Sequence, residues 1–341
     1  MAGPKYKYQE LKNYLTECIR SGVFGEEEQI EPELSLMKRF ALSRNTVRQA
    51  LRELENEGFI YRIRGKGSFV RQNTPVESRK IAFLLYSSAY TTYPLTADII
   101  RGLDAGLTRH GYLLDIMVSP RTFPQENITE TAKHFSGLLI GAYQLDEPTL
   151  SALKKLSIPF RFVKNYHREF VREAIRFDYQ EAGRLAASYL VERGKKNLAL
   201  LLPGSNCCIM DDFKNGVIQV CLEYGIRLSE NHIFHLDFEQ TSDAMQIGQQ
   251  LEQEPNPPDG VVCASDELAA ALMQTYSGTV TGCNDIPLAA EKQIPTVKLN
   301  GYALGELAAN AILTDLKPGP EPPKIYPPLP PEFLPRHPRK Y

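Results

Sequence analysis

From Lys80 onward, short apolar runs alternate with amphipathic stretches, and this pattern restricts the possible folds severely. The runs are KIAFLLY, YLLDIMV, FSGLLIGA, IPFRFVK, NLALLLP, HIFHLD, GVVCAS and TVTGCN. Helical periodicity occupies Asp98 to His110, Glu147 to Leu156, Glu181 to Arg193, Asp211 to Tyr224, Ala244 to Glu252 and Glu267 to Tyr276. A strand that is apolar at successive positions must be covered on both faces, and helices between successive strands do so when the strands run parallel. The pattern falls into two sets, which predicts two doubly wound α/β lobes. Ligands on such sheets bind beyond the carboxyl ends of the strands. Tyr86, Tyr90, Tyr93, Tyr143, Asn165, Asp178, Asn206, Phe238, Asp266, Asn284 and Asp285 collect there. For Asp266, which opens a helix, capping competes with ligand binding.

The first seventy residues follow a different period. Leu11, Leu15, Cys18 and Ile19 share one helical face, with Gly22 as the stop, and ELSLMKRF is a second, short helix. Ala41 and Leu42 make a tight turn, and Ser43 is placed to cap a third helix. On that helix Val47, Ala50, Leu51 and Leu54 form one face, while Arg44, Arg48 and Arg52 form another. Like charges stacked one turn apart repel by a few tenths of a kcal/mol per pair, so a phosphate-bearing partner is expected. A short helix, a turn and a capped second helix match helix-turn-helix geometry, in which the second helix enters the major groove. FIYRIRGKGSFV then reads as a two-stranded wing turning at Gly65 to Gly67, with Arg62, Arg64 and Lys66 facing phosphates or the minor groove. The expected boundaries are a DNA-binding domain over 1–70, a polar linker over 71–78 and an α/β domain over 79–341.

The net charge of −2 conceals this local concentration of basic residues between Lys38 and Lys80. No apolar run is long enough to span a bilayer, and MAGPKYKYQELK lacks the pattern of a signal peptide, so a cytoplasmic protein with no membrane partner is expected. The six cysteines show no metal-ligand spacing, and the adjacent Cys207 and Cys208 fit small core residues better than a redox pair. Neither GxGxxG nor GxxxxGK[ST] occurs, and no nucleophile–base set is suggested. Neither an enzyme nor a cofactor is therefore expected.

SRNTVRQALRELENEGFIYRIRGKGSFV resembles the winged helix-turn-helix of GntR-type transcription regulators in its SR-x-TVR-x-AL core, its helix-ending EG and its G-x-G-x-F-V wing. The resemblance implies that Ser43, Arg44, Thr46 and Arg48 contact bases and phosphates, with Asn45 in the same turn. It puts Gly65, Lys66 and Gly67 at the wing tip and Lys7 against the DNA backbone. Where that family carries a Pro-Ser-Glu-Arg type sequence whose arginine grips phosphate, EPEL here puts Leu34.

The remainder resembles the effector domain of LacI/GalR-type repressors, itself related to periplasmic sugar-binding proteins. The matching stretches include FSGLLIGA, RFDYQEAGRLAASYLVERG, DFEQTSDA, CASDELAAA, GCNDIPLAA and IPTVKLNGYALGELAANAIL followed by LPPEF. The implied fold is a two-lobed, periplasmic-binding-protein-like domain. By this resemblance Asn284 binds effector hydroxyls and Phe238 stacks on the ligand. The full set of candidate effector residues is Tyr90, Tyr93, Tyr143, Asn206, Phe238, Asp266 and Asn284. The family's Arg-x-x-Gly is replaced by Phe213, Lys214, Asn215 and Gly216, and the segment before Gly282 is short. The whole plan is that of arabinose-repressor-like regulators. It implies a homodimeric repressor on double-stranded operator DNA, controlled by a sugar-like effector; the missing arginine and the many tyrosines leave a nucleoside or other metabolite as the alternative. The tail from Pro318 to Tyr341, with ten of the 24 prolines, is expected to lie extended over the sensor.

Overall fold

In a computed structural model the chain divides into two compact units, Met1–Ser78 and Arg79–Tyr341. Residues 4–20, 23–25, 27–63, 65–71, 79–86, 89–119, 125–141, 145–204, 207–236, 241–317 and 324–336 are described. The expected linker lies almost wholly outside them.

The first unit holds α1 (Pro4–Arg20), α2 (Glu33–Phe40), α3 (Arg44–Asn56) and a hairpin of β1 (Ile60–Ile63) and β2 (Gly67–Val70). The hairpin is antiparallel, with Ile60 opposite Val70 and Ile63 opposite Gly67. Leu11, Leu15, Leu36, Val47, Leu51, Leu54, Ile60 and Val70 form one buried core. The turn between α2 and α3 is tight because Ala41 adopts a left-handed conformation, φ 52°, and its N–H caps Met37.

The second unit continues with β3 (Lys80–Tyr86), α4 (Ala89–Thr92), α5 (Pro94–Thr108), β4 (Leu113–Ser119), α6 (Gln125–Ala132), β5 (Gly137–Ile140), α7 (Glu147–Leu153), β6 (Phe160–Val163) and β7 (Ala174–Ile175). These build a parallel sheet in the order β4-β3-β5-β6-β7. Then come α8 (Tyr179–Val191), β8 (Asn197–Pro203), α9 (Cys208–Glu223), β9 (Arg227–Leu236), α10 (Thr241–Glu252), β10 (Gly260–Cys263), α11 (Asp266–Leu272), β11 (Thr279–Asn284), α12 (Pro287–Glu291), β12 (Thr296–Lys298), α13 (Gly301–Asp315) and β13 (Glu332–Leu334). Their sheet runs β13-β12-β11-β10-β8-β9, parallel except for β13. The short segment before Gly282 therefore costs this sheet nothing, since β11 pairs with both β10 and β12.

Three passages join the lobes. The chain crosses after β7 and returns after β12, because α13 packs on α5 of the first lobe. It crosses again in the tail, where Leu329 bonds Arg176 and Asp178 before β13 joins β12. The extended tail expected from its prolines is thus, over residues 324–336, a strap ending in an edge strand. Arg161, fully buried on β6, anchors it: Nε and Nη2 donate to both oxygens of Asp315 at 2.6 and 2.8 Å, and Nη1 donates to the carbonyls of Arg172 and Lys324.

Both lobes use helix pairs in backbone contact. A Cβ at Gly183 would lie 2.0 Å from the Phe213 carbonyl oxygen, and one at Gly216 1.9 Å from that of Gln180, so α8 and α9 interlock through reciprocal glycines. Gly102 and Gly305 do the same for α5 and α13, each 2.1 Å from a carbonyl oxygen of the other helix. Two elements differ from expectation. The helix expected from Asp98, α5, begins at Pro94, since proline suits the first helical turn. α6, with the polar sequence QENITETA, lacked the apolar stripe that would announce it.

Candidate functional site

The N-terminal unit exposes basic side chains on α3 and at the tip of its hairpin. Ser43 caps α3 as expected: its Oγ accepts from Thr46 N at 3.3 Å and lies 2.7 Å from Thr46 Oγ1. This cap orients the first turn so that Arg44, Asn45 and Arg48 are exposed while Val47 is buried. Lys66 stands exposed at the wing tip. Gly65 and Gly67 adopt φ of +77° and +128°, and a Cβ at Gly67 would lie 2.4 Å from Gln29 Nε2, an atom that donates to the Lys66 carbonyl. Turn geometry and Gln29 thus account for both glycines. Lys7 lies on α1, but its side chain, like Arg64, falls outside the described residues.

Glu33 is the residue that sequence reasoning missed. Its carboxylate accepts from Arg48 Nε at 3.0 Å and from Arg62 Nη2 at 3.1 Å, tying α2, α3 and β1 together. A carboxylate held by two arginines orients both guanidiniums and leaves their other N–H groups to a second acceptor. The neighbouring Leu34, where a phosphate-gripping arginine was expected, is exposed to 59%.

In the α/β unit the strand ends of the two lobes meet across a cleft. Tyr93, the N-cap of α5, accepts a hydrogen bond from Asn284 Nδ2 at 2.8 Å and donates to Glu267 Oε2 at 3.4 Å. Two candidate effector residues, Tyr93 and Asn284, are therefore brought together, and Glu267 joins them unanticipated. Asn284 and Asp285 both have left-handed backbone, φ 103° and 56°, the kind of local strain that collects at binding sites. A second bridge links Tyr166 Oη to Asp212 at 2.7 Å and Arg168 to Asp211 at 2.8 Å.

A small recess of about 10 Å³, room for about one water molecule, lies in the first lobe, lined by Phe83, Leu85, Thr96, Ile99, Gly141, Val163, Lys164 and Asn165. Lys164 is only 8% exposed, has a left-handed backbone of φ 70°, and holds its Nζ 5.7 Å from the Tyr93 ring centroid. Tyr143, Asn206 and Phe238 lie outside the described residues, as does the side chain of Tyr90.

Asp266 requires correction as an effector ligand. It is fully buried, and its oxygens accept from Thr296 Oγ1 at 2.5 Å and Ile286 N at 2.9 Å; the helix cap is Ser265. Its carboxylate holds strand ends together and offers nothing to a ligand. Asp178, likewise, caps α8 by accepting from Glu181 N at 2.9 Å. Phe213, in the place of the expected effector-binding arginine, is fully buried in the core that α8 and α9 share. Burial also pushes up the thiols of Cys207, Cys221, Cys263 and Cys283, as inert core cysteines require.

Burial raises the Asp266 carboxyl to about 7, against the downward pull of its two hydrogen bonds. The unfolded group titrates near 3.8, so the folded state holds the proton more tightly. That contribution is present below about pH 4 and is lost as pH rises through about 7. Asp266→Asn, which cannot ionise, is expected to melt progressively higher relative to the wild type between about pH 5 and about pH 8. A melting-temperature difference that stays constant with pH would contradict this assignment.

Comparison with known proteins agrees with both halves. A family model of bacterial regulatory proteins, gntR family, matches residues 7–70, and one of a periplasmic binding protein-like domain matches residues 187–337. The chain is 26% identical over 335 residues to the arabinose metabolism transcriptional repressor of Geobacillus stearothermophilus, covering 90% of each. It is 27% identical over 237 residues to the HTH-type transcriptional repressor CytR of Escherichia coli strain K12, covering 68% of this chain and 65% of that one. A solved transcriptional regulator CelR–cellobiose complex superimposes with a TM-score of 0.69 at 18% identity, over 86% of this chain and 89% of that one. These relatives are named as transcriptional regulators, and this chain joins a segment that matches the gntR-family model to one that matches a periplasmic binding protein-like domain.

Proposed function

We propose that the protein is a cytoplasmic repressor that binds a palindromic operator as a homodimer and responds to a sugar-like effector held between the sensor lobes. The observation that carries this reading is the Tyr93–Asn284–Glu267 bridge, which sets a tyrosine of one lobe on an amide and a carboxylate of the other. Hydroxyl, amide and carboxylate are the groups that read a polyol, and a ligand entering there exchanges these bonds for its own.

At the reader, Ser43, Arg44, Asn45, Thr46 and Arg48 are assigned to the major groove. Arg62, Arg64 and the wing tip at Gly65, Lys66 and Gly67 are assigned to phosphates or the minor groove, and Lys7 to the DNA backbone. One half-site offers little specificity, and a two-fold protein reads two-fold DNA. Support for a second copy comes from β4, the free edge of the first sheet, which exposes Leu113, Ile116 and Val118. An edge strand bearing exposed apolar side chains needs covering. Effector binding changes the angle between the lobes and with it the spacing of the paired readers.

Operator and effector are then reciprocally coupled, typically by about 1 to 3 kcal/mol, or roughly 5- to 150-fold in affinity. The test is an operator titration at fixed salt, with and without saturating sugar; arabinose is tried first because the relatives are named for its metabolism. The reading fails if compounds that raise the melting temperature of the protein leave operator affinity unchanged.

A further inference from the structure

The second-lobe side of the cleft is built on costly backbone. β11 ends on two consecutive left-handed residues, Asn284 and Asp285, with φ of 103° and 56°, and neither is glycine. Such a turn persists only where its surroundings over-determine it. The residue after it is fixed from within the lobe, because the Ile286 N–H donates to the buried Asp266 carboxylate at 2.9 Å. The turn itself is held from the tail.

Arg336, two residues beyond β13, donates from Nη2 to Asp285 Oδ1 at 2.5 Å and from Nη1 to the Ile294 carbonyl at 3.4 Å. The two side chains are 18% and 16% exposed, so this pair is shielded in a way that surface ion pairs of little consequence are not. A guanidinium that spreads its N–H groups over a carboxylate and a backbone carbonyl fixes the carboxylate's position as well as its charge. The strap places Arg336 in turn: Leu334 lies opposite Thr296 of β12, and Leu329 is bonded to Arg176 and Asp178 where the chain crosses between the lobes. None of this is needed to keep β13 in the sheet, since its pairing with β12 is complete at Leu334. What the guanidinium adds is a hold on the residue next to Asn284, whose amide reaches Tyr93 at 2.8 Å.

We infer that Arg336 is a positioning residue of the effector site: the strap ends in a guanidinium that grips Asp285 and thereby sets the left-handed turn that presents the Asn284 amide to a bound polyol. This rests on the reading of the cleft as a polyol site and deepens it. The tail is then a working part of the sensor, because its last described residue governs the geometry of a ligand-facing side chain.

The test is calorimetric binding of L-arabinose, D-glucose and cellobiose to the full-length protein and to two variants. For whichever of these the wild type binds, Arg336→Gln is expected to lower affinity by about tenfold, the scale of one well-made hydrogen bond. Its ligand-free melting temperature should stay within about 2 °C of the wild type, since one partly exposed ion pair contributes little to a unit of this size. Arg336→Lys, which keeps a cation against Asp285, should recover most of the affinity. Hydrogen exchange at the Ile286 amide should quicken about tenfold in Arg336→Gln while the amides of β10 keep their rates. Unchanged sugar affinity, or an Ile286 amide that exchanges at the wild-type rate, overturns the inference and leaves the polyol reading standing. So does a fall in affinity accompanied by a large fall in melting temperature, which would make Arg336 a support of the whole lobe. If none of the three sugars binds the wild type, the polyol reading falls and takes this inference with it.

Discussion

Replacing Arg44 with alanine is expected to reduce affinity for the cognate operator by about 30-fold to 10⁴-fold, from a loss of about 1 to 3 kcal/mol at each of two half-sites. Effector binding by the same variant should be unaltered. The expectation rests on the Ser43 cap, which puts Arg44 in the first turn of α3, exposed, whereas Arg48 and Arg62 are partly engaged by Glu33. Anisotropy titrations on cognate and scrambled duplexes at one salt concentration separate two roles. A loss confined to the cognate duplex marks a base contact, and an equal loss on both marks a phosphate contact. Retained sequence-specific binding would remove Arg44 from the reading surface.

The largest effect on stability is expected at Arg161. Its replacement by alanine leaves the Asp315 carboxylate, 10% exposed, without a counter-ion, and strips a donor from two carbonyls, one of them at the start of the tail. Breaking a buried pair in this way costs about 3 to 5 kcal/mol. Denaturant unfolding followed by near-ultraviolet circular dichroism should show the sensor transition at a markedly lower midpoint. Arg161→Met combined with Asp315→Leu should recover most of the loss, because an apolar pair of similar size avoids the uncompensated charge. A small loss in the single variant would show that the tail is held by its β13–β12 pairing instead.

The fold of the N-terminal unit was legible in the sequence because its determinants are local. A capping serine, an apolar stripe and a glycine-turned hairpin are set by neighbours within a few residues, and each was found where expected. Strands of the sensor were legible for the same reason, since continuous apolar runs have few other destinations. The cleft was legible only in part. Asn284 and Tyr93 stand out by residue type, but nothing in the sequence tells that they meet, 191 positions apart. Asp266 was misjudged because a carboxylate at a strand end looks the same whether it faces a ligand or, as here, Thr296. Lys164 escaped notice because a lysine after a buried strand ordinarily reaches solvent, and only the recess formed by Thr96 and Asn165 shows otherwise. Glu33 was overlooked because its two arginines lie 15 and 29 residues away.

The reciprocal glycines of α5 with α13 and of α8 with α9 bear on how a message can leave the cleft. Helices that touch backbone to backbone have no layer of side chains between them to re-pack, so neither can shift by a fraction of a turn without collision. Soft, plastic responses are thereby closed off inside each lobe. On the proposed reading, what a bound molecule would alter is the hinge formed by the three crossing segments, and its signal would be mechanical: a tilt between two stiff blocks. A methyl group added at Gly183 would act as a wedge driven into one block, wrecking the lever without touching the hand that moves it.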